Sequence, residues 1–314
     1  MFNIMICFHN TEIINTCLNT FRMFDDVDDK YGGYHFYICP DPRANDPMKG
    51  LKIPHGMNYT IVGDNPLDYI IKEFNLTGVN EQYVWKQTHH ICLAYKYLLS
   101  KKYDVKEVFC LDDDTVILKD IRNLFPAGKN CAYYINSPLY FYWKSSKIHR
   151  NELKAYCDIV EKDITKYVTT TADGLKYKIA QYNAGHFYIV LEESFFRVVR
   201  NFYTNGFFQN RFFDDVYDLS TNALYKGVTK FNRSYFDEQR LLTHYFLTNK
   251  ENFTHRDLNR ASEIFLSKRS DDFVNDDIKD IKRKLKKFHI VHYVGSEKLD
   301  RARKFLEINN EQDL

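Results

Sequence analysis

At 314 residues, the chain has room for one large α/β domain or two small ones. Hydrophobic residues make up 44% and charged residues 27%, the balance of a soluble globular protein with a real core. A net charge of +2 gives no case for a nucleic-acid polyanion as partner. The 24 tyrosines and 25 phenylalanines accompany abundant Asn, Ile and Lys, a pattern that AT-rich codon usage produces without any functional cause. Cys7, Cys17, Cys39, Cys92, Cys110, Cys131 and Cys157 are odd in number and lie in the first half of the chain without CxxC spacing. Neither a zinc site nor a disulfide framework is indicated, and those in apolar runs read as buried small hydrophobes. The segment Met1 to Phe8 is too short for a signal peptide and lacks the basic flank, and no stretch approaches a membrane span. Asn-x-Ser/Thr sequons begin at Asn58, Asn75, Asn232 and Asn252 and read as chance in an Asn-rich chain. The expectation is a reduced, cytoplasmic protein without membrane association.

In chain order, Asn3 to Phe8 reads as a first strand. The polar break His9-Asn10-Thr11 can cap a helix around Ile13 to Phe24. Tyr34 to Cys39 and Tyr59 to Val62 read as further strands, joined by a polar, Pro-containing connection from Pro40 to Gly50. Gln82 to Ser100 has helical spacing, with Val84, Ile91, Ala94 and Leu98 on one face, and the strand Val108 to Leu111 follows. This alternation predicts a Rossmann-like, mostly parallel central sheet flanked by helices, with ligands beyond the C-terminal strand ends. Farther on, Val168 to Gln181 reads as a hairpin turning at Asp173-Gly174, and Phe187 to Leu191 as a strand leading into a helix through Arg200. Asp237 to Leu247 reads as a helix, Ile278 to Lys287 as a basic helix with a solvated face, and Phe288 to Val294 as a late strand. With no low-complexity linker and no internal repeat, the expectation is a single domain over 1–314. Within that domain the order of elements divides the chain into 1–125, 126–270 and a C-terminal helix and strand at 271–314.

The most informative feature is Asp112-Asp113-Asp114, which follows the apolar run Val108 to Leu111 and precedes Thr115 to Leu118. A buried strand cannot keep carboxylates inside it unpaired, so the chain delivers them to the rim of a sheet. In extended chain, residues i and i+2 face one side. Asp112 and Asp114 can therefore grip one hard cation, Mn²⁺ or Mg²⁺, while Asp113 faces away toward a hydrogen bond. A solvated acidic turn is the plainer alternative. Two other segments can add to such a site. Asn183-Ala184-Gly185 reads as a small-residue turn before a strand, where backbone can approach a ligand and the Asn amide can meet sugar hydroxyls. His292, Gly295 and Lys298 offer an imidazole at a strand end, a turn and a cation. Taken singly, a tight turn, a core histidine and a surface lysine are the plainer readings.

As an ordered set, these segments resemble the GT-A-fold retaining glycosyltransferases of family 8, the group that includes glycogenin and lipopolysaccharide galactosyltransferases. The family has a strand with Leu-Asp-x-Asp, then Asn-Ala-Gly, then an Asp-Gln element opening a helix, then His-x-x-Gly-x-x-Lys. Here these are Leu111 to Asp114, Asn183 to Gly185, a counterpart within Phe236 to Leu242, and His292, Gly295 and Lys298. The resemblance implies that Asp112, Asp114 and His292 hold Mn²⁺ or Mg²⁺ against the diphosphate of a nucleotide sugar, with UDP as the family nucleotide. It implies phosphate contacts from Lys298 and the backbone at Gly295, and donor contacts from Asp113, Asn183, Ala184 and Gly185. Gln239 would lie near the anomeric carbon with Glu238 on the sugar hydroxyls. A one-residue shift would instead put Asp237 on the sugar. The loop Phe8, His9, Asn10 and Thr11 would receive the nucleoside. Lys96 falls where the family commonly has a donor-contacting Arg or Lys, and a solvated helix lysine is its alternative. Two departures stand out: His186 occupies a position more often aliphatic, and the interval from Asp114 to Asn183 is long, with Tyr133 to Val168 expected on the acceptor side.

The activity so implied is metal-dependent transfer of a sugar from a nucleotide-sugar donor to a glycan or other hydroxyl acceptor, with retention. Two other readings stay open. Phe109 to Val116 also fits the first motif of haloacid-dehalogenase-like phosphatases, with Asp112 as nucleophile and Asp114 as general acid, but that motif normally sits on the first strand. The third reading is a glycosyltransferase-like domain that binds without turnover.

Overall fold

The computed structural model describes residues 1–76, 88–134, 143–144, 154, 156–167, 169–170, 176–178, 182–204, 238–249, 251, 253–257, 264–267, 276–293, 300–301, 303–304 and 307. The elements run β1 (Phe2–Phe8), α1 (Thr11–Asn19), β2 (Tyr34–Pro40), β3 (Tyr59–Ile61), α2 (Pro66–Glu73), α3 (Thr88–Tyr103), β4 (Glu107–Asp112), β5 (Thr115–Ile117), β6 (Asn130–Tyr134) and β7 (Trp143–Lys144). There follow β8 (Thr169–Thr170), β9 (Lys176–Lys178), β10 (Tyr182–Val190), α4 (Glu193–Thr204), α5 (Glu238–Thr248), β11 (Phe253–Asp257), β12 (Ile264–Ser267), α6 (Ile278–Leu285) and β13 (Ile290–Tyr293).

A seven-stranded sheet in the order β11-β6-β10-β4-β1-β2-β3 forms the centre. Every pairing in it is parallel except those of β10 with β4 and β6, so β10 alone runs against its neighbours. This is the mostly parallel sheet expected from the sequence, and its central strands are apolar because helices cover both faces. One core joins α2, α3, α4 and α5 to one face through Leu67, Leu98, Phe195 and Leu241. The other packs α1 and the connections after β5 onto the opposite face through Ile14, Leu18, Ile121 and Phe125. A smaller sheet, β12-β13-β5, is closed by a third core in which Ile281 and Leu285 of α6 meet Val116 and Val291.

Several boundaries differ from the sequence reading for local reasons. The first helix stops at Asn19, because the following turn carries Arg22 into positive φ (57°) and its N–H donates to the Ile117 carbonyl at 2.5 Å. Asn10 caps that helix as expected, its side chain accepting from Glu12 N at 2.9 Å and Ile13 N at 3.3 Å. Helix α2 has no counterpart in the sequence reading, although Asn65 as N-cap and Pro66 at the first position signal it. Helix α3 starts at Thr88 and runs on to Tyr103; residues 82–87 of the expected helix lie outside the described residues. The expected hairpin is present as β8 pairing antiparallel with β9, while its turn at Asp173-Gly174 lies outside the described residues.

Candidate active site

Strand β4 ends at Asp112, the chain turns at Asp113-Asp114, and β5 leaves for the smaller sheet. The triplet is thus the hinge between the two sheets, where extended chain had been expected to continue. On β13, His292 lies opposite Thr115 of β5, and the Tyr293 N–H donates to the Asp114 carbonyl at 3.0 Å. That pairing brings the imidazole from the far end of the sequence to the aspartates. His292 Nε2 lies 3.2 Å from Asp114 Oδ1 and 3.8 Å from Asp112 Oδ2. One ligand atom from each of the three residues falls within 4.8 Å of the others. The side chains of Asp114 and His292 are 4% and 9% exposed, whereas that of Asp112 is 50% exposed, so the cluster opens on the Asp112 side.

Asp113 points elsewhere. Its carboxylate accepts from the His9 N–H at 3.4 Å and lies 3.3 Å from His9 Nδ1. Burial pushes its carboxyl up to about 6, Asp114 and Asp112 add to the rise, and His9 opposes it. Asp113 is thus turned to the loop after β1, while Asp112 and Asp114 lie with His292.

Asn183, Ala184 and Gly185 lie inside β10, which corrects the expected turn. The pairing of β10 with β6 shifts register between Tyr182 and Phe187, and such an irregularity aims a strand without ending it. The reason for glycine is proximity. A Cβ at residue 185 would lie 3.0 Å from Asp112 Cγ and 3.0 Å from His292 Cε1, and closer still to Asp112 Oδ2. Next to it, His186 is fully buried with its ring edge-to-face on His292, centroids 5.3 Å apart. Burial, then His292, hold His186 well below the usual imidazole range. The sequence marked His186 only as a departure from an aliphatic position.

Lys96 is 1% exposed, which removes the solvated alternative. Its ammonium donates to the Cys92 carbonyl at 3.3 Å and lies 5.0 Å from the Phe187 ring centroid, on the strand that carries Gly185. Beyond the ends of β1 and β2, Asp41 N donates to the Phe8 carbonyl at 2.9 Å, and Arg43 Nε holds the Asp41 carboxylate at 2.9 and 3.1 Å. This pair went unnoticed in the sequence, where Asp41 and Arg43 sit in a connection with no periodicity. Thr11 Oγ1 donates to the Lys49 carbonyl at 3.0 Å, closing the same rim. Glu238 and Gln239 open α5; Asp237, Gly295 and Lys298 lie outside the described residues.

Two carboxylates and an imidazole, beside a glycine that keeps the space clear, are a donor set that fits a divalent cation. Among the described residues, no helix is long and apolar enough to cross a membrane.

No protein-family model matches the chain, and no curated protein matches it by sequence. Solved structures do match. The galactosyltransferase LgtC, in complex with donor and acceptor sugar analogues, aligns over 98% of this chain and 95% of its own at 14% identity, TM-score 0.41. Mouse xyloside xylosyltransferase 1 aligns over 94% of this chain and 97% of its own at 13% identity, TM-score 0.42. The bifunctional glycosyltransferase WbbM aligns over 98% of this chain but 49% of its own, at 12% identity and TM-score 0.47.

Proposed function

We propose that the chain is a retaining glycosyltransferase that moves a sugar from a nucleoside-diphosphate donor, a UDP-sugar by family resemblance, to a hydroxyl acceptor. The observation that carries this reading is the meeting of Asp112, Asp114 and His292 at the C-terminal end of β4, with Gly185 keeping the adjacent space clear. A nucleotide bound beyond β1 and β4 falls where open parallel sheets take their ligands.

In the transfer, the bond from the anomeric carbon to the leaving phosphate oxygen breaks and a bond to the acceptor oxygen forms. The acceptor's proton passes to the departing phosphate on the same face, which accounts for retention. When bound, a divalent cation supplies Lewis acidity toward the leaving diphosphate. Asp112, Asp114 and His292 would hold it. In the same reading, Asp113 fixes the loop of Phe8, His9, Asn10 and Thr11 for the nucleoside, and Lys298 with the Gly295 backbone meets the phosphates. By the same resemblance Lys96 would contact the donor, and Asn183 and Ala184 would meet the donor sugar. Glu238, or Asp237 under the alternative register, binds its hydroxyls. Gln239 lies against the anomeric centre, where an amide stabilises developing positive charge without acting as a base.

A panel of nucleotide sugars, incubated with Mn²⁺ and no acceptor, tests this. Slow hydrolysis of one donor to free sugar and nucleoside diphosphate is expected, abolished in Asp114→Asn. Release of inorganic phosphate from phosphomonoesters, with every nucleotide sugar intact, would instead point to a phosphatase.

A further inference from the structure

The function proposed above gives His186 no task, although it touches one of the three side chains on which that function depends. It is fully buried on β10, and its ring stands edge-to-face on that of His292, with centroids 5.3 Å apart and planes at 84°. In a regular strand consecutive side chains point to opposite faces, so positions 185 and 186 should not meet the same neighbour. Here both do. A Cβ at residue 185 would lie 3.0 Å from His292 Cε1, and the ring of residue 186 packs on the same imidazole. The strand is irregular at this point: its ladder with β4 begins at His186, opposite Leu111, and its register with β6 shifts between Tyr182 and Phe187. Irregularities of this kind re-aim a side chain, and here the ring beside the shift is that of His186.

Backbone pairing places His292 without setting its ring. The residue lies opposite Thr115 in the β13–β5 ladder, and the next N–H, that of Tyr293, donates to the Asp114 carbonyl at 3.0 Å. The torsion that turns an imidazole about its Cβ–Cγ bond is broad and roughly two-fold, so the ring plane stays open until a neighbour fixes it. That plane matters, because a ligand nitrogen offers its lone pair in one direction only. His292 Nε2 faces both aspartates, 3.2 Å from Asp114 Oδ1 and 3.8 Å from Asp112 Oδ2. Rotating the ring would carry the nitrogen away from them. A perpendicular aromatic neighbour resists that rotation, since the edge-to-face arrangement is lost when either ring turns. An aliphatic side chain would fill the same space without preferring any ring plane. Gly185 thus leaves room for the imidazole, and His186 decides how it is turned.

We infer that His186 is a positioning residue for the metal centre, its ring holding the His292 imidazole with Nε2 toward Asp112 and Asp114. The ligand atoms then meet a divalent cation without rearranging first. His186 lies outside the group with ligand spacing, which among the described residues is Asp112, Asp114 and His292. The inference rests on the cation site of the function proposed above, and on no nucleotide or sugar. What it requires of residue 186 is an aromatic edge.

The test is calorimetric titration of Mn²⁺ alone into the full-length protein, with the EPR spectrum of the bound ion and the thermal midpoint recorded alongside. Wild type is compared with His186→Phe and His186→Leu. His186→Phe keeps an aromatic edge and should bind Mn²⁺ within about twofold of wild type, with the same spectrum. His186→Leu should bind about three- to tenfold more weakly, the range that such a contact supplies, with an altered zero-field splitting. Should His186→Leu fail to fold, His186→Met supplies the aliphatic comparison. A lowered thermal midpoint in the aliphatic variant, with wild-type Mn²⁺ affinity and spectrum, would reduce His186 to a packing residue and overturn the inference. Equal weakening in the aromatic and aliphatic variants would overturn it too, as would a wild type that takes up no Mn²⁺. A wild type that binds Mn²⁺ but no UDP would sink the transferase reading and leave this comparison to decide the role of His186.

Discussion

Gly185 shows how much of this site is set by the absence of an atom. Its backbone is ordinary strand, so the requirement for glycine comes from the space that Asp112 and His292 occupy. Gly185→Ala places a methyl group in that space, and overpacking of this kind costs about 1–3 kcal/mol. Because about 1.4 kcal/mol corresponds to a factor of ten, Mn²⁺ affinity is expected to fall about tenfold or more. Calorimetric titration of Mn²⁺ into the variant measures this, and wild-type affinity would mean the three side chains do not act together on the ion. At this scale the sequence was informative where chemistry and spacing coincide. Asp112, Asp114 and His292 were legible because carboxylates after a buried strand demand an explanation. Asp41 and Arg43 were not, because each becomes meaningful only through the neighbour that the fold supplies.

The elements succeed or fail by their connections. The segment leaving β5 is tied to the start of β2 through Asp120, whose Oδ1 accepts from the Tyr34 hydroxyl at 2.5 Å and from Arg122 N at 2.9 Å. Arg122 Nε adds bonds at 3.0 Å to both carboxylate oxygens. Burial alone would raise the Asp120 carboxyl, but Arg122 and Tyr34 outweigh it and hold the group well below the usual carboxylate range. A carboxyl depressed in the folded state contributes stability above its unfolded value, about 3.9, that is lost as pH falls through the folded value. Asp120→Asn should therefore lower the denaturation midpoint at pH 7, and its deficit against wild type should narrow as pH drops below about 4. A deficit independent of pH would show that shape, not charge, matters there. The strands of the first half were readable because alternation of apolar strand and helix repeats there. Helix α2 was hidden by its short apolar face, and the strand character of Asn183 to Gly185 by small residues that look like a turn. The register of the β10–β6 pairing shifts between Tyr182 and Phe187, the stretch that holds Asn183 to Gly185, and only the pairing with another strand reveals it.

For the whole molecule, the decisive arrangement is a second sheet that carries His292 back to the C-terminal end of the first. The β13–β5 pairing and the core of Val116, Val291, Ile281 and Leu285 hold it there. That long-range closure was visible in the sequence only as an ordered set of motifs, and the distance between Asp114 and His292 along the chain hides it from any window. The most direct test is calorimetric titration of UDP into the full-length protein with and without Mn²⁺, repeated with His292→Ala. A saturable heat that needs Mn²⁺ and is lost or weakened at least about tenfold, or about 1.4 kcal/mol, in the variant is the predicted result. UDP binding that ignores both the metal and His292, or no UDP binding at all, would contradict the assignment of this cluster.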